Sequence, residues 1–336
     1  MKILIIKPSS LGDVIHALPF LKAIRDSFPD SRVDWVISKN LGKILEDNPL
    51  INRLITIDKD SWKEFRKLPQ TLSELFSLRN LLRSDRYDIV VDLQGLLRSG
   101  LIAFFTPAAL KIGFEDAREG SRFFYDRRVR VNKSSHAVDK CLEAARAMGA
   151  SLGGTPGFPL YIDGTAPDRV RKLTGDTGGY VVIVPSARWP SKRWPAGYFA
   201  SLIKRIPLQC VVAGGGGDGE AVREITGSLP RHNIIDLCGK TDLKELTALL
   251  AGARAVVTND TGPMHIAAAL DVPVVALFGP TDPVKTGPYG WRGNSRLKVL
   301  TAGVPCSPCR RRTCGEPACM TGITVDMVFE ALREYL

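Results

Sequence analysis

KILIIKPSSLGDVIHALPFL, residues 2–21, is the stretch of sequence that decides the fold. Residues 3–6 form a continuous apolar run of leucine and β-branched side chains, which predicts a buried strand. After the polar break at residues 9–12, residues 13–21 begin a helical pattern. A loop between such a strand and helix lies at the carboxyl edge of a parallel sheet, where open α/β sheets bind their ligands. We therefore expect residues 7–13 to touch whatever this protein binds.

The alternation of strand and helix continues through the whole chain. In the first half, strands are predicted at 33–37, 54–57 and 87–92, and helices at 41–46, 68–84 and 136–148. In the second half, strands are predicted at 180–184, 210–213, 234–237, 255–258 and 274–278, each followed by a helix. This pattern is typical of parallel sheets covered by helices. It predicts an α/β protein with two Rossmann-like domains and a ligand cleft between them.

The domain boundary is expected where the composition changes. Residues 149–177 are rich in Gly, Pro, Asp and Thr, with one strand-like piece at 160–162. We predict an N-terminal domain at 1–165, a C-terminal domain at 175–320 and a final amphipathic helix within 321–336.

Composition and charge narrow the class of protein. The chain has 336 residues, 44% hydrophobic and 24% charged, which are ordinary globular values. Its net charge of +11 favours a polyanion, an anionic membrane surface or an acidic substrate as partner, although a generally basic soluble protein would look the same. No apolar run approaches the roughly 18 residues of a membrane span, and no signal peptide is recognisable. We expect a cytoplasmic protein whose seven cysteines are reduced.

Residues 111–130 combine five arginines with aromatic side chains. Such a mixture can indicate nucleic-acid binding. Here Glu115, Asp116, Glu119 and Asp126 are interspersed and would repel phosphates. A local anion pocket is therefore the better interpretation, and no nucleic-acid partner is expected.

A glycine-rich segment offers a nucleotide-binding hypothesis. Gly214, Gly216 and Gly219 match G-x-G-x-x-G between a strand and a helix, and Asp236 ends the next predicted strand. This spacing favours a nicotinamide oxidoreductase. A run of four glycines also matches by chance, and it does not follow the first strand of its domain. The alternative is a nucleotide ribose at this loop, with Glu220 as the carboxylate.

VVTNDTGPMH, residues 256–265, leaves a strand and opens a helix. Asp260, Thr261 and Gly262 occupy the helix entry, where backbone N–H groups and the helix dipole attract phosphate oxygens. Asp260 could instead be only the helix N-cap, and His265 only a packed helix residue. Lys192 follows the strand at 180–184, so it points to the same sheet edge. There its ammonium would balance charge on a leaving diphosphate, unless it is simply a solvated loop charge.

Several motifs in order resemble glycosyltransferase family 9. They are Ser9 to Val14, Asp92 to Gly95, Trp189 to Trp194, Asp260 to Gly262 with His265, and Phe278 to Pro283. The resemblance runs from the first strand to about residue 326. It implies a GT-B fold whose N-terminal domain binds the acceptor and whose C-terminal domain binds the nucleotide sugar.

The resemblance also implies a reaction and its substrates. The motif spacing is most like the members that move L-glycero-D-manno-heptose from ADP-heptose to a Kdo residue of the lipopolysaccharide inner core. The acceptor would then be Kdo-lipid A at the cytoplasmic face of the inner membrane. An inverting transfer needs one general base, and Asp13 matches the family's base, although Asp13 could also serve only to stabilise its helix start. Another heptose position or another nucleotide sugar stays open.

By the same resemblance, the remaining site residues fall into two groups. The donor group is Lys192, Glu220, Thr241, Asp260, Thr261, Gly262 and His265, with Glu220 and Thr241 beside the adenosine. The acceptor group is Ser10, Gly12, Lys63, Arg98 and Arg118. Arginine forks suit the carboxylates and phosphates of such an acceptor.

Four cysteines crowd into fourteen residues as Cys306, Cys309, Cys314 and Cys319. Four thiolates at this spacing could close a tetrahedral zinc or iron site. The alternative is four unliganded thiols on a basic loop. Any metal would be structural, because the expected transfer requires no cofactor.

Overall fold

The computed structural model describes residues 1–58, 68–175, 179–227, 229 and 233–336, with the side chains of residues 68–75 excepted. Two compact units divide the chain, Met1–Tyr161 and Ile162–Leu336. Each unit contains one six-stranded parallel sheet with helices packed on it. The predicted α/β class is therefore confirmed.

The sheet of the first unit has the order β3-β2-β1-β4-β5-β6. Its strands are β1 (Lys2–Ile6), β2 (Arg32–Ser38), β3 (Arg53–Ile57), β4 (Tyr87–Asp92), β5 (Ala108–Phe114) and β6 (Arg127–Val129). Its α-helices are α1 (Leu11–His16), α2 (Leu18–Ser27), α3 (Leu68–Asp85), α4 (Leu97–Phe105) and α5 (Ala137–Ala147). Short 3₁₀ helices lie at Lys39–Ile44 and Ser121–Phe124.

The sheet of the second unit has the order β12-β11-β10-β7-β8-β9. Its strands are β7 (Tyr180–Val184), β8 (Gln209–Val212), β9 (Ile234–Asp236), β10 (Ala255–Asn259), β11 (Val274–Leu277) and β12 (Leu297–Leu300). Its α-helices are α6 (Ala166–Thr174), α7 (Ala196–Ile203), α8 (Gly219–Thr226), α9 (Leu243–Ala251), α10 (Gly262–Ala269), α11 (Pro283–Thr286), α12 (Ala318–Thr321) and α13 (Val325–Leu332).

Both sheets bury most of their central strands. Residues 3–6 of β1 and 181–184 of β7 have no exposed surface, because helices cover both faces of a parallel sheet. In the second unit, Val328 and Leu332 of α13 join the core, and Trp194 Nε1 donates a hydrogen bond to Ile323 O at 2.8 Å. The predicted C-terminal helix is therefore an integral part of the second unit.

The structure differs from the sequence predictions in four places. No strand forms at 160–162, which lie in irregular backbone, and α6 occupies part of the predicted linker. The segment 41–46 is covered by a 3₁₀ helix at Lys39–Ile44 instead of an α-helix. Strands β5, β6 and β12 were not predicted because lysine or arginine interrupts each apolar run. Within the described residues, no helix has the length and hydropathy needed to cross a bilayer.

An ion-pair network fixes the edge of the first sheet at which its strands begin. Asp34 is fully buried and accepts hydrogen bonds from Arg53 at 2.9 Å and from the Tyr87 hydroxyl at 2.8 Å. Arg53 also pairs with Asp85, whose second partner is Lys2 at 2.5 Å. Burial acts to raise the pKa of Asp85, but the hydrogen bonds from Arg53 and Lys2 outweigh it and hold that pKa below 3.8. The charged form of Asp85 therefore stabilises the fold.

Replacing Arg53 by methionine should lower the free energy of unfolding at pH 7 by about 2–3 kcal/mol, because Asp34 would stay buried without its main cation. Asp85 gives its full stabilisation above its unfolded pKa of 3.8 and loses it as the pH falls through its lower folded pKa, so the difference should shrink below pH 3.8. Urea denaturation at several pH values measures both effects. Arg32→Met is the matched control, since Arg32 is half exposed and lies 3.3 Å from the same carboxylate. An equal loss for the two variants would contradict the prediction.

Candidate active site

In each sheet the chain first adds strands outward on one side of the first strand and then crosses to add the remaining strands on its other side. We call the point between these two groups of strands the reversal. In the first unit the reversal lies between β1 and β4, and in the second between β7 and β10. The connections on either side of such a point run in opposite directions and leave a crevice at the carboxyl ends of the strands. The residues predicted to carry function follow these four strands.

In the second unit, Lys192 and Asp260 meet at the reversal. The Lys192 ammonium lies 2.5 Å from Asp260 Oδ2, and the two side chains are only 16% and 6% exposed. Thr281 Oγ1 donates a hydrogen bond to the same oxygen at 2.6 Å. The ring of Trp189 lies 4.6 Å from the ammonium, close enough for a cation–π contact. These contacts hold a positive charge at a fixed position, which excludes the interpretation of Lys192 as a solvated loop charge.

Asp260 is not the N-cap of α10, which was one of the two predicted roles for it. The N-cap residue is Thr261, in an extended conformation, and not Asp260, whose carboxylate is turned to Lys192 and Thr281. Gly262 is the first residue of the helix, and His265 is buried in its first turn. The start of α10 therefore places the Gly262 N–H and the positive end of the helix dipole beside a lysine, an arrangement suited to a phosphate. Pro263 has no N–H, and Met264 N donates to Thr261 O at 3.2 Å.

A buried asparagine holds this arrangement together. Asn259 is the last residue of β10 and is fully buried. Its Nδ2 donates to Pro185 O at 2.7 Å, and its Oδ1 accepts from Trp194 N at 3.2 Å. Asn259 thus ties the loop after β7, which carries Lys192, to the end of β10. The sequence analysis missed Asn259 and Thr281, although both stand inside motifs that it quoted.

Glu220 and Thr241 lie further along the same sheet edge. Glu220 is exposed in the first turn of α8, after β8, and Thr241 follows β9. Gly239 N donates to Gly214 O at 3.0 Å, so the loops after β8 and β9 are joined. Because adjacent strands are about 4.8 Å apart, these loops lie roughly 5–10 Å from the end of β7. That spacing suits a ligand longer than a diphosphate.

The dinucleotide interpretation of Gly214 to Gly219 fits this topology poorly. The glycine run follows β8, whereas the reversal lies between β7 and β10. Asp236 Oδ1, which would have bound the ribose, accepts a hydrogen bond from Cys238 N at 2.9 Å within its own turn. The local structure therefore does not favour an oxidoreductase.

In the first unit, Asp13 lies after β1 and is half-buried. Its Oδ2 accepts hydrogen bonds from Ser10 N and Ser10 Oγ, both at 2.8 Å. The carboxylate therefore stabilises the start of α1, as the alternative interpretation expected. These contacts also fix its position at the reversal between β1 and β4.

The other predicted acceptor residues gather at the same edge. Ser9 N donates to Gln94 Oε1 at 3.2 Å, and Arg118 N donates to Gly95 O at 2.9 Å. These bonds join the loop after β1, the loop after β4 and the segment that carries Arg118. Arg98 and Arg118 are exposed, and Gly12 is buried in α1. Lys63 lies outside the residues that the structure describes.

A buried carboxylate supports the loop after β4. Asp92 has no exposed surface and accepts hydrogen bonds from the Tyr125 hydroxyl at 2.7 Å, Gln94 N at 2.8 Å and Gly95 N at 3.1 Å. Burial raises the pKa of Asp92 above 3.8, while hydrogen bonds from these donors and Ser99 oppose that shift. Through these hydrogen bonds, Asp92 fixes the backbone of Gln94 and Gly95.

Comparison with known families agrees with this geometry. Residues 75–319 match the family described as "Glycosyltransferase family 9 (heptosyltransferase)". The chain belongs to glycosyltransferase family 9. This family 9 glycosyltransferase is 34% identical over 328 residues to lipopolysaccharide heptosyltransferase 1 of Pseudomonas aeruginosa, covering 94% of this chain and 87% of the relative. It is 30% identical to lipooligosaccharide heptosyltransferase 2 of Haemophilus influenzae, covering 100% and 99%.

Solved structures give the same result for the fold. Two structures of the E. coli heptosyltransferase WaaC, one with ADP and one with ADP-2-deoxy-2-fluoro heptose, have TM-scores of 0.82 and 0.80. They are 26% and 25% identical to this glycosyltransferase and cover all of both chains. The predicted GT-B fold class is therefore confirmed.

The four cysteines at 306, 309, 314 and 319 were predicted as a structural metal site of this glycosyltransferase. Among the described residues, no group of three or more His, Cys, Asp or Glu side chains is placed to hold one. Cys319 is buried, with its sulfur turned toward the backbone of Gly279, while Cys306, Cys309 and Cys314 are exposed. The predicted zinc or iron site is therefore not supported by the structure.

The segment between these cysteines instead braces the loops around Lys192. Ser191 Oγ donates to Arg311 O at 2.6 Å, and Arg310 N donates to Pro280 O at 2.8 Å. Ser307 Oγ donates to Gly279 O at 2.5 Å. The segment is thus bound to the loop that carries Lys192 and to the loop that carries Thr281, and it brings three consecutive arginines to them.

Tyr125→Phe should lower the free energy of unfolding at pH 7 by about 1–3 kcal/mol, because it removes a donor from a buried carboxylate. The raised folded pKa of Asp92 makes stability fall as the pH rises above 3.8, and loss of the hydroxyl should raise that pKa further. The difference between variant and wild type should therefore be smaller near pH 4, measured by urea denaturation. Tyr161→Phe, at an exposed position, is the control. A pH-independent difference would contradict the assignment.

Proposed function

We propose that this glycosyltransferase moves L-glycero-D-manno-heptose from ADP-heptose to a Kdo residue of the lipopolysaccharide inner core, as the first heptose. The observation that carries the proposal is the 34% identity to lipopolysaccharide heptosyltransferase 1 along 94% of the chain. The proposed acceptor is Kdo-lipid A, so the protein would work as a peripheral enzyme at the cytoplasmic face of the inner membrane. The net charge of +11 suits that anionic surface.

The proposed donor site is the edge of the second sheet. Lys192, Thr261, Gly262 and the start of α10 would hold the diphosphate, with His265 in the same helical turn. Asp260 would keep the Lys192 ammonium in place through the 2.5 Å ion pair. Glu220 and Thr241 would border the adenosine, since their loops lie about 5–10 Å further along the edge. The ADP-containing structures of WaaC support a donor of this length.

The proposed reaction is a single displacement with inversion. Asp13 takes the proton from the acceptor hydroxyl as the hydroxyl oxygen forms its bond to the anomeric carbon of heptose. The bond from that carbon to the diphosphate oxygen breaks, and ADP leaves. Charge develops on the leaving oxygen, where a fixed ammonium and a helix N-terminus are most effective. The step needs a base and an electrostatic stabiliser and requires no cofactor.

The acceptor carries carboxylates and phosphates, for which arginine is the best partner. Arg98 and Arg118 are exposed at the edge that carries Asp13, and Arg118 is joined to Gly95 through its backbone. We assign these two arginines, Ser10, Gly12 and Lys63 to the acceptor. Arg98 and Arg118 would then supply two exposed cations at the edge that carries Asp13, where they can hold an acidic acceptor.

A second candidate is transfer of the second heptose. It is favoured by one observation, the 30% identity to lipooligosaccharide heptosyltransferase 2 over all of this chain and 99% of the relative. The donor and the chemistry would be the same. The two candidates differ only in the acceptor, which already carries one heptose in the second case.

Product analysis separates these functions. With ADP-heptose as donor, the protein should add heptose to Kdo-lipid A and release ADP, while an acceptor that already carries one heptose should react far more slowly. Mass spectrometry of the products gives both rates. Faster reaction of the heptosylated acceptor would establish the second candidate. Absence of ADP release with both acceptors, together with tight NAD binding, would overturn the proposal.

Asp13→Asn should lower kcat by about 10²–10⁴-fold, because a neutral amide cannot accept the proton, and should leave ADP affinity within about twofold. Asparagine can still accept from Ser10 N, so the variant should fold normally. Steady-state kinetics and calorimetric titration with ADP measure the two quantities. Lys192→Met is the matched contrast and should weaken ADP binding by about tenfold or more. If the Asp13→Asn variant keeps most of its turnover, Asp13 is not the base and serves only to stabilise the start of α1.

A further inference from the structure

Helix α4 has apolar side chains on two opposite sides, although only one of these sides faces the core. Ile102 and Ala103 are buried against the sheet. On the opposite side, Leu97, Leu101, Phe104 and Phe105 are 40%, 36%, 51% and 47% exposed. A helix with this pattern normally has a partner on both sides. Within the part of the chain that the structure describes, the outer side of α4 is therefore an unpartnered apolar surface.

Neighbouring elements extend this surface. Phe76 of α3 and Phe123 of the 3₁₀ helix Ser121–Phe124 are 63% and 67% exposed. The ring of Phe104 contacts the rings of Phe105 and Phe124 at centroid distances of 5.2 and 5.3 Å. Exposed apolar side chains are normal when they are scattered singly, but a contiguous group marks an interaction surface.

Cations are stacked on the rings of the same surface. The Arg79 guanidinium lies 5.8 Å from the Phe76 centroid and 5.9 Å from the Phe105 centroid. The Lys111 ammonium lies 5.6 Å from the Phe104 centroid. Arg122 and Arg128 lie 4.9 and 5.8 Å from the Phe123 centroid. We call this group of aromatic, leucine and basic residues the α4 face.

Among the described residues, the acidic side chains beside the α4 face are engaged by backbone groups or, for Glu115, by Arg130 at 2.9 Å. The Glu119 carboxylate accepts from Leu97 N at 3.1 Å, and the Asp126 carboxylate accepts from Lys111 N at 2.8 Å. Their charges are therefore held at the rim of the surface. The rings are left with the four cations beside them.

This chemistry selects one kind of partner. Aromatic rings and leucines enter the boundary between headgroups and acyl chains, and lysines and arginines beside them attract anionic headgroups. A second copy of this chain would bring four cations against four cations, which disfavours self-association.

We propose that the α4 face docks this protein on an anionic lipid bilayer, with the exposed phenylalanines inserted and the four cations on the headgroups. The inference deepens the proposed function, since a lipid-anchored acceptor must be taken from a membrane. Helix α4 begins two residues after Gly95, and Arg98 lies in its first turn. The docked surface is thus continuous with the edge that we assign to the acceptor.

Vesicle co-sedimentation tests the proposal with the full chain. Wild-type protein should bind vesicles of phosphatidylcholine containing one third phosphatidylglycerol, and binding to pure phosphatidylcholine should be much weaker. Phe104→Ser with Phe105→Ser should weaken binding at least about tenfold. Lys111→Gln with Arg128→Gln should weaken it about fivefold per cation and reduce its salt dependence. Leu173→Ser with Arg171→Gln, on exposed positions of α6, is the matched control and should bind as wild type.

The outcomes separate this inference from the proposed function. Heptose transfer to a water-soluble acceptor without acyl chains should be unchanged in the α4-face variants, while transfer to vesicle-embedded acceptor should fall with vesicle binding. Vesicle binding that depends on the α4 face supports the inference even when no heptose is transferred. Unchanged vesicle binding by variants with wild-type melting temperatures would overturn it. A dimer by light scattering that dissociates in the phenylalanine variant would also overturn it, in favour of a contact between copies.

Discussion

The reversal of winding in each parallel sheet is the constraint on which the rest of the structure depends. At that point two neighbouring strands send their connections to opposite faces of the sheet, so the backbone alone cannot close the gap. Polar side chains close it instead, Lys192 with Asp260 in one unit and Gln94 with the backbone of Ser9 in the other. Because the gap lies where the strands end, these side chains are held by the core and still reach the surface.

In both units, the last residue of the fourth strand along the chain is a buried polar residue that fixes the neighbouring loops. Asp92 ends β4 and Asn259 ends β10, and both are fully buried. A buried polar side chain is tolerated only when its hydrogen bonds are made, so each one fixes the loops that supply its partners. The asparagine joins two loops without a charge. The aspartate adds a carboxylate, whose burial makes the first unit sensitive to pH.

Much of this arrangement could be predicted from the sequence because buried strands are local signals. The apolar runs of β1, β4, β7 and β10 are visible directly, and parallel topology then places Lys192 and Asp260 at one edge. Contacts between distant residues could not be found in this way. The bond between Tyr125 and Asp92 spans 33 positions, and β12 and β6 are edge strands with little apolar pattern. The spacing of the cysteines suggested a metal, but the direction of the Cys319 side chain depends on how α12 packs against Gly279.

Each unit of this glycosyltransferase has its own core, its own reversal and its own buried polar residue. Substitutions around Arg98 and Arg118 therefore change one unit and leave the contacts of Lys192 intact. With the acceptor in the first unit and the nucleotide sugar in the second, as we propose, selection can alter the acceptor in small steps while the binding of the nucleotide sugar stays constant. A family built in this way can diversify by evolving one half of the chain faster than the other.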